Sequence, residues 1–310
     1  MDVFLLAQLP CTICHFLSFF IMTHRLLSFV VSILAVVVLS SCQNPAPLDY
    51  TPEYFVEAYI VVDAPLQNVF VGRTQSLTDS VRAGQGAVTD AQVQILEGEG
   101  ANMRTYTLRY LQATRSYALA DTTIRVKPAT RYRLQIRTAD GANLTGTTFT
   151  PNRIQWTQSV KPILYYPQDT LALISPDSLS IEWTAEPNTV EYLLASTCLD
   201  TLEYGKYLVP ATTEKNRRIE RSSESYDDVT NYDFLQNNSV PTVWTSFKWF
   251  GRHTITVYAP DRNFLNWFKL TKFQGNPSYN PLFGSIEGGY GVFGSASRVV
   301  AETFVVKNRP

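Results

Sequence analysis

Arg131-Tyr132-Arg133-Leu134-Gln135-Ile136-Arg137, then Asp140-Gly141, then Asn143-Leu144-Thr145-Gly146-Thr147-Thr148-Phe149: this stretch decides the fold class. Tyr132, Leu134 and Ile136 alternate with Arg133 and Gln135, the period of a strand with one buried face. Asp140-Gly141 is a tight-turn signal, so the stretch predicts a β-hairpin. The same reading extends toward the N-terminus. Phe55 to Val62, Asn68 to Thr74, Gln92 to Leu96, Thr105 to Leu108 and Ser116 to Leu119 are short runs separated by turn residues. About seven strands in about 100 residues, with no helical period, is the pattern of a β-sandwich. It predicts an immunoglobulin- or transthyretin-like sandwich over 53–151.

Toward the C-terminus, Thr150-Pro151 marks the predicted boundary, and the proline-bearing stretch to Pro176 reads as an irregular crossover. Leu179 to Trp183 and Glu191 to Ala195 read as strands around a Pro187-Asn188 turn. With Trp183 on one and Tyr192 on the next, they resemble the B and C strands of a fibronectin type III sandwich. Gly251 to Ala259 resembles its F strand. A fibronectin III-like domain is therefore expected over 152–310, with Leu202 to Phe250 as an insertion too long for a sandwich loop. Asp261 is the predicted cap of a helix reaching about Gln274, in which Phe264, Leu265, Trp267, Phe268 and Leu270 recur at helical spacing. A glycine-rich segment, Phe283 to Gly294, and a strand from Val299 to Val306 close the chain.

The N-terminus carries an address. From Met22 the sequence shows Arg25 as a positive flank, an apolar run of 14 residues from Leu26 to Leu39, and the small pair Ser40-Ser41. That run is shorter than the roughly 20 residues a membrane-spanning helix needs. Leu39-Ser40-Ser41-Cys42 resembles the lipobox of bacterial lipoprotein signals, which implies cleavage before Cys42 and lipid on its thiol. Met1 to Ile21 duplicates the apolar job, so translation is expected to start at Met22. Residues 1–41 are read as the signal region. Residues 42–52, with Pro45 and Pro47, form an extended tether. Gln43 after the lipidated residue resembles lipoproteins passed on to the outer membrane.

Composition excludes several classes. The net charge is −1, so no basic footprint argues for nucleic acid. Beyond Cys42 the sequence holds one cysteine, Cys198, and one histidine, His253. No intrachain disulfide and no usual Cys/His zinc site can be built from them, and no cofactor is expected. A Cys198/His253 nucleophile pair rests on scarcity alone; a buried structural cysteine is the expected reading.

Glu57-Ala58-Tyr59-Ile60, Val88 to Val93, Tyr132 to Ile136 and Ser285-Ile286-Glu287-Gly288-Gly289-Tyr290-Gly291-Val292-Phe293-Gly294 occur in a shared order. In them the chain resembles a family of Bacteroidota outer-membrane lipoproteins, domain of unknown function 4249. The resemblance covers most of the chain after Cys42, and its Gly/Phe motif is the most specific part. It implies an outer-membrane location and, often, a gene neighbourhood with TonB-dependent transporters, so a TonB-dependent transporter is the expected partner. It supplies no reaction and no catalytic residue.

Gly289-x-Gly291-x-x-Gly294 matches a dinucleotide fingerprint by letter, but only 16 residues follow it and they read as a strand, not a helix. It is expected to pack Tyr290 and Phe293 on the sandwich. Trp244, Phe247, Trp249 and Phe250, with Phe264, Trp267 and Phe268, are expected as the second core. Trp244 and Trp249, beside the insertion, are the candidates for an exposed binding surface. Asp227-Asp228 and Glu97/Glu99 are read as solvated turn charges rather than a glycosidase dyad. Asp followed by Ser or Thr and an apolar residue or Thr occurs at Ser80, Thr122, Thr170, Ser178 and Thr201, more often than composition predicts. The pattern resembles a Bacteroidota O-glycosylation acceptor; turns leading into strands give the same letters.

The expected protein is an all-β, lipid-anchored, non-catalytic binding or accessory component. An orphan cell-envelope hydrolase would instead need paired acids in a cleft, or His253 within reach of Asp or Ser. A structural or adhesive protein would show neither cleft nor binding patch.

Overall fold

The structure, a computed structural model, describes residues 50–75, 86–166, 180–219, 229–240, 246–273 and 284–307. Cys42, Ser80, Thr170, Ser178, Trp244 and the Asp227-Asp228 pair lie outside the described residues. The first half contributes β1 (Tyr54–Val61), β2 (Val69–Arg73), β3 (Gln92–Glu97), β4 (Arg104–Leu111), β5 (Ser116–Ala118), β6 (Arg131–Arg137) and β7 (Asn143–Phe149). After them come β8 (Trp156–Gln158), β9 (Ile163–Tyr165), β10 (Ile181–Trp183), β11 (Tyr192–Cys198), β12 (Thr230–Leu235), β13 (Ser239–Val240) and β14 (Gly251–Pro260). Helix α1 (Arg262–Phe273), β15 (Ile286–Glu287) and the long β16 (Tyr290–Val306) complete the fold.

The fold is all-β, as the alternation predicts. The hairpin of β6 and β7 pairs in register from Arg131↔Phe149 to Arg137↔Asn143. Tyr132, Leu134 and Ile136 face the core, and Arg131, Arg133 and Arg137 face solvent. One large mixed sheet runs β12-β11-β14-β16-β1-β2-β5-β4-β3-β6-β7-β15, with β9 also on β16. It folds over within β4, whose first residues pair β3 and whose last three pair β5. β15 pairs β7, and the chain then turns through Gly288 into β16, which pairs β1. That turn links the β7 edge to the β1 edge and closes the first sandwich. Gly288 has φ +82°, where a Cβ would strike the Asn143 carbonyl oxygen, so the turn needs glycine.

Two cores result. The first gathers Val56, Ile60, Val93, Ile95, Leu134, Leu144 and Phe293. The second gathers Trp183, Tyr192, Leu194, Phe250, Ile255, Val257 and Val305. The expected cut at 151/152 falls between them, yet β16 gives Phe293 to one and Val305 to the other. From Pro52 onward the chain is one compact unit.

Three details differ from the sequence reading. The glycine-rich segment contains the short strand β15, a turn and the start of a 17-residue strand rather than a loop before a short one. The crossover after Pro151 contains β8 and β9, and the insertion contains β12 and β13. Runs of two to six residues are too short for their periodicity to be read.

Helix α1 begins where expected. The Phe264 N–H donates to Asp261 Oδ1 at 2.9 Å, an N-cap. Its apolar stripe lies on the outer face of the sheet. Phe264 meets Tyr59 at 4.8 Å between centroids, Trp267 meets Phe55 at 5.8 Å, and Phe268 meets Tyr232 at 5.0 Å.

Candidate functional site

Beyond Ser297, β16 leaves α1 behind. Thr303 and Val305 point inward, while Arg298, Val300 and Glu302 face outward. β9 pairs parallel with its last residues, Ile163↔Phe304, Leu164↔Val305 and Val306↔Tyr165. Strand alternation therefore buries Leu164 and sets Ile163 and Tyr165 beside Phe304 and Val306 on the outer face. Tyr165 is 73% exposed and Ile163 52%. Opposite them stands a loop built on Asp200. Its carboxylate accepts from the N–H groups of Glu203 (2.9 Å) and Leu202 (3.0 Å) and from the Tyr207 hydroxyl (2.9 Å), and pairs with Lys206. The Glu203 N–H leads the causes that hold this carboxyl well below the usual range.

The loop presents Tyr207, Leu208 and the fully exposed Val209. Between loop and strands is a groove of about 690 Å³ lined by Ile163, Tyr165, Tyr207, Val209, Arg252 and Phe304, among others. That is the size of a small-ligand site. Arg252 donates to Glu302 at 3.2 Å, and its guanidinium lies 5.2 Å from the Tyr207 ring centroid. Among the described lining residues Glu302 is the one carboxylate, and it is paired. The groove offers flat aromatic and aliphatic faces with phenol and guanidinium donors at the rim. Such a surface binds by contact and stacking.

The site residues expected from sequence fare differently. Trp249 is 8% exposed and belongs to the core, so it offers no platform; the Arg218 guanidinium covers its ring at 5.4 Å. Phe247 and Phe250 join the second core as expected, but Phe264 and Trp267, also buried, do not: they pack with Leu193 and Ala296 and with Leu270 and Val292, under α1. Cys198 and His253 are directly opposite one another on β11 and β14. Burial nevertheless pushes the thiol up to about 11 and the imidazole down to about 4. Between those values both are neutral, the reverse of a thiolate–imidazolium pair. The His253 ring contacts the Gly251 carbonyl at 3.0 Å through Nδ1 and meets Phe247 edge-on.

Glu97 is buried, where it pairs with Lys127 and accepts from the hydroxyls of Tyr106 and Tyr132; Glu99 pairs with Arg131 at the surface. They are not a dyad across a cleft. Thr122 is exposed, and Thr201 is half-buried beside Asp200.

A second groove, about 520 Å³, holds Asp261 with Phe149, Val190 and Arg262. Burial raises the Asp261 carboxyl. It accepts from Thr148 Oγ1 (2.5 Å), Phe264 N (2.9 Å) and Ser295 N (3.1 Å), which ties β7, α1 and β16 together. Its role is in the architecture.

Sequence reasoning missed the first groove because it lies on β9 and on the Asp200 loop. One signal was present: Ile163-Leu164-Tyr165-Tyr166 is apolar on both faces, more than a short edge strand needs.

No curated protein matches the chain. The family model described as a domain of unknown function, DUF4249, matches residues 44–301, which takes in the first core, nearly all of the second, β15 and most of β16. The chain belongs to the DUF4249 family.

Proposed function

We propose that this chain is a non-catalytic lipoprotein of a Bacteroidota outer membrane. It is anchored through lipid on Cys42 and binds a ligand or partner in the groove between β9 and the Asp200 loop, in association with a TonB-dependent transporter. The observation that carries the binding reading is the groove itself: exposed Ile163, Tyr165 and Val209 around a cavity whose described lining holds no second acid. Exposed apolar patches rimmed by polar groups mark interaction sites. The lipobox at Leu39 to Cys42 and the proline-bearing tether support the anchor. No helix among the described residues is long and apolar enough to cross a membrane.

Two measurements test the two parts. Cells fed an alkyne fatty acid incorporate label into the wild type and not into Cys42→Ala; labelled Cys42→Ala would refute the anchor. Gentle detergent extraction of native membranes recovers a TonB-dependent transporter with the wild type and less with Tyr165→Ala. Equal recovery with both removes the groove from the interaction, and recovery of no transporter counts against the accessory role.

A further inference from the structure

β1 is the first strand after the tether and β16 is the last of the fold, and they run parallel. Their register is unbroken over seven pairs, Phe55↔Tyr290 to Val61↔Ala296, and the Val62 N–H donates to Ala296 O at 2.9 Å to extend it. Parallel direction has a mechanical consequence. A pull on the leading end of β1 and a pull on the trailing end of β16 act oppositely along one shared axis. The rungs are loaded in shear, all at once, and must fail together. Strands pulled apart from one end fail rung by rung. In the parallel ladder the bonds are evenly spaced, so the load divides evenly.

The rest of β16 is seated to match. Over ten pairs, Gly251↔Val305 to Pro260↔Ala296, it lies antiparallel to β14, so a pull along its axis shears that ladder too. β1 is held on its other edge by β2, from Tyr54↔Arg73 to Ala58↔Val69. Val56, Ala58 and Ile60 are buried completely or nearly so. Gly291 lets the backbones close: a Cβ there would collide with the Val56 carbonyl oxygen.

We propose that the β1–β16 ladder is a tension clamp, which holds the fold against a pull between the membrane-anchored N-terminus and whatever occupies the groove at the trailing end of β16. This rests on the anchored, groove-binding reading above for its direction of load. The ladder's response to force can be measured independently.

The experiment is single-molecule pulling of the full chain in two geometries, with attachment through unnatural residues so that the native cysteines stay untouched. In the first, handles sit at Glu53 and at the C-terminal residue, and load shears the ladder. In the second, they sit at Glu53 and Glu287, at the same end of the two strands, and load peels it. Forced unfolding reports the unfolding rate along the pulled direction. The shear geometry should rupture at several-fold higher force and in one step that releases the whole fold. Equal rupture forces would overturn the clamp. So would an early short step in the shear geometry, showing β16 leaving β14 while β1 still holds. Fatty-acid labelling separates the readings: labelled Cys42→Ala would sink the anchor and leave a shear-to-peel difference standing, whereas equal forces would sink the clamp with the anchor intact.

Discussion

The sheet around β6 and the sheet around β11 are made of similar residues and packed differently. Along β6 inward and outward positions alternate, because only one face is covered. Along β11 six of seven residues are buried. There the second core covers one face, and Phe264 and Phe268 of α1, packed on Leu193, Tyr232 and Tyr258, cover the other. A one-sided sheet writes its fold in the alternation; a two-sided one erases it. Polar groups differ in parallel. The first core keeps a buried carboxylate, Glu97, with a lysine and two tyrosines. The second also keeps a buried carboxylate, Glu186, held by the N–H groups of Asn152 and Asn188, and adds a neutral imidazole and a neutral thiol.

The joint between the two is the largest target. Gly291 has φ +115°, and a methyl group would meet the Val56 backbone. Gly291→Ala must therefore open the β1–β16 ladder, which seats the strand that both cores share. We expect a loss above about 4 kcal/mol, at the exceptional end for one substitution, read as collapse of the folded fraction in urea titration. A variant with near-wild-type stability would mean that the ladder does not join the halves.

Next come the cores themselves. Trp183 is fully buried against Trp156 and Tyr192, at 6.2 and 5.2 Å between centroids. Trp183→Ala should cost about 3 to 5 kcal/mol, and Leu134→Ala in the first core about 2 to 5. Because β16 serves both, each should lower the midpoint of one common transition at unchanged slope. Two separate transitions would show that the cores are independent after all.

How much of this was legible follows the same division. Tyr132 to Ile136 could be assigned a strand and a face from sequence, and Asn143 to Phe149 its partner strand, and both are as read. Asp261 announced its helix. β12 could not be found: Thr230-Asn231-Tyr232-Asp233-Phe234-Leu235 is half-buried throughout, and its Asn231 and Asp233, next to a polar insertion, read as loop. Trp249 was misjudged because a tryptophan beside a polar insertion reads as exposed, whereas the chain folds Arg218 back over it. The groove depends on β9 meeting the end of β16, about 140 residues later, a contact that no local pattern encodes.

A smaller effect distinguishes the cores by pH. His253 has its folded pKa pushed from the usual 6.5 down to about 4 by burial. Below pH 6.5 the unfolded chain takes a proton that the folded chain refuses, so stability falls as pH drops toward 4. The full difference is about 3 kcal/mol by linkage. Asp261, whose carboxyl is raised by burial, contributes the opposite slope in the acid range. The difference between wild type and His253→Gln therefore isolates the imidazole. The stability gap between them should change across pH 6.5 to 4, because only the wild type carries the histidine slope. A constant gap would show that the ring is already charged or solvated in the fold.

The smallest effect belongs to the groove. Arg252 and Glu302 are both substantially exposed, and their ion pair lies across neighbouring strands β14 and β16 at the rim. Solvent screens such a pair, and two long side chains lose rotamer freedom to hold it. Glu302→Gln should leave the denaturation midpoint where it is, even though it sits on the strand that both cores need. It should still alter the groove: Arg252, freed from its carboxylate, gains a donor pair for an anionic or carbonyl-bearing ligand above the Tyr207 ring. Unchanged stability with changed capture of the membrane partner would separate the outward face of β16, which binds, from its inward face, which folds. A shifted midpoint with unchanged capture would assign the pair to the fold and take Glu302 out of the site.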